Sequence, residues 1–182
     1  VRLTPISLNG FGEQKNIYCH DAGTVARFLV PICAAIKGSY HFSASPRMSL
    51  RPMQSLLQAL ESMGASFEFL AEKWQMPFVM SSHGLAGGKI NLDITQSSQF
   101  LSGLLLAEPL MQKPLQVQMP DLTKKPYVKM TKQMLKSFNA DYQIEPDAST
   151  ASYFFAAAAL TGGEVLVKNL HIENSLQGDV RF

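Results

Sequence analysis

The chain has 182 residues, 46% of them hydrophobic, enough to bury about 70% of its unfolded surface as one compact domain. Sixteen basic residues against 14 acidic ones leave a net charge of +2 with no basic run, which excludes nucleic acid and anionic lipid as electrostatic partners and leaves a small molecule. The two cysteines, Cys19 and Cys33, exclude a disulfide scaffold and, with no CxxC or Cys/His cluster, a zinc site; they predict a reduced, cytosolic setting.

Val1 to Gly10 mix polar and apolar positions without the basic and then apolar runs of a signal peptide. The chain opens on valine, so a start lying before Val1 is expected. The apolar residues Val25, Phe28, Leu29, Ile32, Cys33 and Ile36 then fall at i, i+3, i+4, i+7, i+8 and i+11, which predicts a helix with that stripe inward. A strand over Tyr40 to Ser43 follows. Arg51-Pro52 opens a second helix with Met53, Leu56, Leu57 and Leu60 on one face and Gly64 as its stop. Ser66 to Leu70, Phe78 to Ser82 and Lys89 to Ile94 read as strands, the last alternating Ile90, Leu92 and Ile94 against Asn91 and Asp93.

The order then recurs. Ser97-Ser98-Gln99 opens an apolar helix through Phe100, Leu101, Leu104 and Leu105, which Pro109 ends; Leu115 to Met119 is its strand. Lys125-Pro126 opens the next helix, with Tyr127, Met130, Met134, Leu135 and Phe138 on one face and Asn139 as its stop. Thr24 to Ser98 and Pro52 to Pro126 both span 74 residues, the mark of a duplicated unit. A third copy begins at Asp147, with a helix over Tyr153 to Leu160 stopped by Gly162-Gly163 and a strand over Glu164 to Val167. That helix's apolar run is far short of the roughly 20 residues a membrane span needs. Matching Ser98 to Thr150 gives 52 residues instead of 74, so 22 are absent from copy two, with the junction placed near Gln143 and Ile144.

Asp21-Ala22-Gly23-Thr24 precedes the first helix, where a residue without bulk lets an anion reach unpaired N–H groups and the positive end of the dipole. Asp21 and Thr24 are also ordinary capping residues. Ser97-Ser98-Gln99, at the equivalent place in copy two, offers two hydroxyls and an amide suited to phosphate, or again a cap. Arg47 can grip a carboxylate or phosphate with two N–H groups. Arg27 faces either a buried acid or a ligand, and Arg51 is read as flanking its helix. Lys124-Lys125 sit where a helix dipole disfavours them, which points to an anion nearby. His20, His41, His83 and His171 have no metal spacing, and the methionines are core filler.

Ala22-Gly23-Thr24 with Arg27, Pro46-Arg47-Met48 with Arg51-Pro52, Ser97-Ser98-Gln99-Phe100, Pro126-Tyr127, Asp147-Ala148-Ser149 and Ser175-Leu176-Gln177-Gly178-Asp179 stand in an order that resembles the 3-phosphoshikimate 1-carboxyvinyltransferase (5-enolpyruvylshikimate-3-phosphate synthase) family, from about Cys19 to Phe182. The resemblance implies an α/β fold of repeated βαβαββ units, helices buried and sheets outward, with this chain forming most of the N-terminal lobe of a two-lobed protein. It implies phosphoenolpyruvate on Gly23, Arg47 and Gln99, and shikimate 3-phosphate on Ser97, Ser98, Gln99, Lys124 and Tyr127, with Asp21, Thr24 and Arg27 as further candidates. It implies no metal or organic cofactor, and a partner in the second lobe, which carries the acid/base groups. The family usually has asparagine where Asp21 stands and serine where Lys124 stands. By Coulomb's law an extra carboxylate weakens an anionic ligand and an extra ammonium strengthens it. Two other readings stay open: a sister enolpyruvyl transferase acting on a nucleotide sugar, and a noncatalytic ligand-binding domain.

Overall fold

The computed structural model describes residues 14–118, 125–137, 144–173 and 175–181. Expectations that fall on Val1–Gly10, Met119, Lys124, Phe138, Asn139 and Gln143 lie outside them. The chain forms two compact units, Val1–Asp121 and Leu122–Phe182.

In the first unit the elements run β1 (Lys15–Tyr18), α1 (Gly23–Ala34), β2 (Gly38–Ser43), α2 (Pro46–Ser49), α3 (Gln54–Ser62), β3 (Ser66–Phe69), β4 (Phe78–Ser82), β5 (Gly88–Asn91), α4 (Gln99–Ala107), a 3-10 turn (Glu108–Leu110) and β6 (Leu115–Gln118). Four strands make one sheet in the order β1-β2-β4-β3, with β1 and β2 parallel and the other pairs antiparallel. A parallel pair needs a crossover, and α1 supplies it. With α3 leading into the antiparallel β3 and β4, the sheet and its helices make a βαβαββ unit. The second copy begins the same way. β5 and β6 pair in parallel, Gly88 opposite Leu115, with α4 between them. The strand at 88–91 therefore opens the second copy and does not close the first. It also ends at Asn91, short of Ile94, because the Asp93 N–H is taken by Ser55 Oγ at 2.9 Å in place of a strand partner. Its alternation still holds, since Ile90, Leu92 and Ile94 are buried and Asn91 and Asp93 exposed.

The helices carry the core. α3 buries Met53, Leu56, Leu57 and Leu60, the face its spacing predicts. α4 is apolar all round and buries Phe100, Leu101, Leu104 and Leu105, the pattern of a helix enclosed on every side; each large side chain contributes about 1.5–3 kcal/mol. α1 corrects the prediction. Its buried positions are Gly23, Ala26, Arg27, Val30, Pro31 and Ala34, whereas Val25 and Leu29, on the expected stripe, are 38% and 37% exposed. The cause is its close packing against α4. A Cβ on Gly103 would lie 2.2 Å from the Arg27 carbonyl oxygen and 3.2 Å from Pro31 Cγ. Pro31 has no N–H to occupy that carbonyl, and only small residues fit such an approach.

In the second unit α5 (Pro126–Ser137) and α6 (Ala148–Thr161) are followed by a 3-10 turn at Gly178–Arg181. α5 buries Val128 and Thr131, one position on from the expected Tyr127 and Met130. α6 ends at Gly162 with φ of 67°, the left-handed stop the sequence predicts. Glu164 to Val167, expected as a strand, is not one: Glu164, Val165 and Leu166 are exposed, and an extended segment without a neighbour has nothing to complete its hydrogen bonds. Among the described residues no helix is long and apolar enough to cross a membrane.

Candidate functional site

The turn from β1 into α1 sets the site. His20 takes the left-handed conformation (φ 50°), the Ala22 N–H returns to the Cys19 carbonyl at 3.1 Å, and the chain enters α1 through an extended Ala22. Ala22, the N-cap residue of α1, makes no side-chain cap bond, which leaves the helix's first N–H groups at the positive end of its dipole. Gly23 is buried, and the space where its side chain would stand is framed by polar groups. A Cβ there would lie 3.0 Å from Arg51 Nη1, 3.4 Å from Arg27 Nη1 and 3.7 Å from Gln99 Oε1.

Arg27 is held rigidly. Its Nη1 donates to Gln99 Oε1 at 2.8 Å and its Nη2 to the Pro52 carbonyl at 3.3 Å, while the guanidinium lies over Phe100, 5.4 Å from the ring centre. The side chain is only 8% exposed, and its Nε has no hydrogen-bond partner among the described residues. Burial first, and then the charge of Arg51, pull its pKa below the usual guanidinium value; no acid is among the causes. Two cations this close, with no carboxylate acting on Arg27 among the described residues, cost energy that a bound anion would recover. The arrangement is therefore suited to a phosphate or carboxylate approaching Gly23 from the open side of α1.

Arg47 stands on α2, exposed, at the second helical position. Ser45 caps that helix by accepting from the Met48 N–H at 3.2 Å, and its hydroxyl donates to Asp21 at 2.5 Å. Ser98 is the N-cap residue of α4 without a side-chain cap bond, and Ser97 Oγ accepts from the Gln99 N–H at 3.3 Å, leaving the Ser97 hydroxyl hydrogen to donate elsewhere. Thr24 is exposed on the first turn of α1.

The structure thus brings Gly23, Arg27 and Gln99 together, and adds Arg51, expected only to flank its helix. The signal was a second arginine four residues after Arg47, directly before Pro52. Beside it, Arg51, Lys73, Trp74, Gln75 and Gln96 help line a hollow of about 220 Å³, with the Lys73 ammonium 4.8 Å from the Trp74 ring centre.

In the second unit Tyr127 is 37% exposed on the first turn of α5. Burial raises its phenol pKa, and the hydrogen bond with Asp179 raises it further. Asp179 also accepts from Ser149 Oγ. Gln177 ties down the start of α6, accepting from the Ala148 N–H at 2.8 Å and donating to the Pro146 carbonyl at 2.7 Å, and Asp147 accepts from the N–H groups of Ser149 and Thr150. With its N–H groups taken by protein oxygens, α6 starts closed where α1 starts open. Among the described residues no group of three His, Cys, Asp or Glu could hold a metal ion.

Known proteins align with most of this chain. The family model for EPSP synthase (3-phosphoshikimate 1-carboxyvinyltransferase) matches residues 5–141 and 139–182. A 3-phosphoshikimate 1-carboxyvinyltransferase of Nostoc punctiforme is 37% identical over 205 residues, covering 98% of this chain and 48% of that protein. One from Syntrophobacter fumaroxidans is 35% identical over 204 residues, covering 100% of this chain and 48% of that protein. The solved EPSP synthase of Acinetobacter baumannii superimposes with a TM-score of 0.57 at 29% identity, over 70% of this chain and 28% of that one. The chain spans about half the length of the curated relatives it matches.

Proposed function

This chain belongs to the EPSP synthase (3-phosphoshikimate 1-carboxyvinyltransferase) family, and from that membership we propose that the full-length protein transfers the enolpyruvyl group of phosphoenolpyruvate to the 5-hydroxyl of shikimate 3-phosphate. The products are 5-enolpyruvylshikimate 3-phosphate and inorganic phosphate, a step toward chorismate and the aromatic amino acids. The hydroxyl oxygen adds to C2 of phosphoenolpyruvate as the methylene carbon takes a proton. Loss of that proton's equivalent and of phosphate then restores the double bond. The two free cysteines fit a cytosolic enzyme.

The observation that carries this reading is the bare Gly23 between two guanidiniums and an amide. Gly23, Arg47 and Gln99 hold phosphoenolpyruvate, with Arg51 as a further cation and Arg27 fixing the Gln99 amide. Ser97, Ser98 and Gln99 hold the phosphate of shikimate 3-phosphate. Charge shifts among two phosphates and a carboxylate during the reaction, so fixed donors lower the barrier, each charge-assisted bond contributing about 1.5–3 kcal/mol. The 182 residues alone bind without turnover, since the acid/base groups of the second lobe lie outside them.

A gap in copy two belongs to the same reading. The Syntrophobacter alignment runs over 204 residues against the chain's 182, which supports an absence of about 22 residues, and the family match falls in two pieces that meet at 139–141, beside the expected junction near 143–144. The test of function is phosphate release by the full-length protein from the two substrates. Release should require both, and Arg47→Ala should lower kcat/KM at least about tenfold, the loss of one such bond. Release that ignores shikimate 3-phosphate or Arg47 would overturn the assignment.

A further inference from the structure

Asp21 is a carboxylate set two residues before the glycine of an anion cradle, and a charge in that place should repel the ligand. The hydrogen bonds give it another part. The Ser45 hydroxyl donates to Asp21 at 2.5 Å, while the Ser45 oxygen accepts from the Met48 N–H at 3.2 Å and the Ser45 N–H donates to the His20 carbonyl at 3.1 Å. A hydroxyl has one hydrogen to give, and a carboxylate can only accept. The proton on Ser45 is thereby turned toward Asp21, and its lone pair is left for the cap of α2. An asparagine at this place could present its NH₂ to Ser45 and compete for that lone pair. The chain of bonds joins the two sides of the cradle: the turn that delivers Gly23, and the helix that carries Arg47 and, through the Arg51 N–H to the Met48 carbonyl at 3.0 Å, delivers Arg51. Met48, 1% exposed, anchors the same turn from below.

We propose that Asp21 is a positioning residue that acts through Ser45, locking the cap of α2 so that Arg47 and Arg51 are held ready for an anion at Gly23. The claim rests on the reading of Gly23 and the arginines as the phosphoenolpyruvate site, and it reverses the effect that Coulomb repulsion alone assigns to Asp21.

The test is phosphoenolpyruvate binding to the 182-residue chain by calorimetry, paired with amide hydrogen exchange at Met48. Asp21→Ala and Ser45→Ala should each weaken binding about three- to tenfold, the range of a lost helix cap. The double variant should be no weaker than either single one, and Asp21→Asn, which can turn its NH₂ toward Ser45, should recover only part of the affinity. Met48 exchange should quicken in both single variants. Tighter or unchanged binding in Asp21→Ala, additive losses in the double variant, or unaltered Met48 exchange would each overturn the proposal. Arg51→Ala separates the two levels: if it leaves binding intact, the cradle itself is misassigned, and Asp21 is then judged on Met48 exchange.

Discussion

At Gly23 the missing side chain leaves the space that the proposed anion would fill. Its place is bordered at 3.0 Å by the end of a flexible arginine, not by backbone, so a methyl group there displaces Arg51 before it disturbs the fold. Gly23→Ala should leave the melting temperature unchanged or slightly raised, since alanine restricts the unfolded chain, and should weaken phosphoenolpyruvate about tenfold; thermal unfolding and calorimetry on one sample check both. A fall in stability with affinity intact would mean the glycine is there for packing alone. The sequence placed Gly23, Gln99 and Arg47 at element starts because those positions are marked by turn and cap chemistry. Arg51 escaped because its role depends on where a side chain ends, six bonds from the backbone and against a helix 28 residues earlier, which no local spacing encodes.

Among the elements, α1 and α4 show how a correct helix can carry a wrong face. The large apolar residues of α1 make the stronger periodic signal, yet its inner face is built of Ala26, Val30 and Ala34 because Gly103 of α4 presses on the Arg27 carbonyl. Small residues read as weak hydrophobes in sequence and as close contacts in space. Where the partner surface makes no such demand, as at α3, periodicity and burial agree. Gly103→Ala would drive a methyl group into backbone, so it should cost about 2–3 kcal/mol or more, measured by denaturant unfolding. A cost below about 0.5 kcal/mol would show that the two helices can part freely. Capping divides the helix starts in the same physical terms: Asp147 and Gln177 close α6 and Ser97 takes the first N–H of α4, while the N-cap residue of α1, Ala22, makes no side-chain cap bond.

At the scale of the whole molecule the 74-residue repeat was legible because duplication keeps landmarks in phase. It returns as two parallel strand pairs, β1 with β2 and β5 with β6, each spanned by a buried helix. The strand expected over Glu164 to Val167 does not form, since a strand depends on a neighbour that its own sequence does not name. α6 leaves Tyr153, Phe154 and Leu160 at 76%, 57% and 88% exposure. What joins the scales is the claim that Gly23, Arg27, Arg51 and Gln99 form one cradle for the anionic group of phosphoenolpyruvate. Titration of the ¹⁵N-labelled chain with phosphoenolpyruvate tests it directly by nuclear magnetic resonance. The account predicts that the Gly23 and Gln99 amide signals shift along a single isotherm, that inorganic phosphate competes for it, and that Arg51→Ala abolishes both shifts. Signals that stay still at these two residues, or that follow separate isotherms, would contradict it.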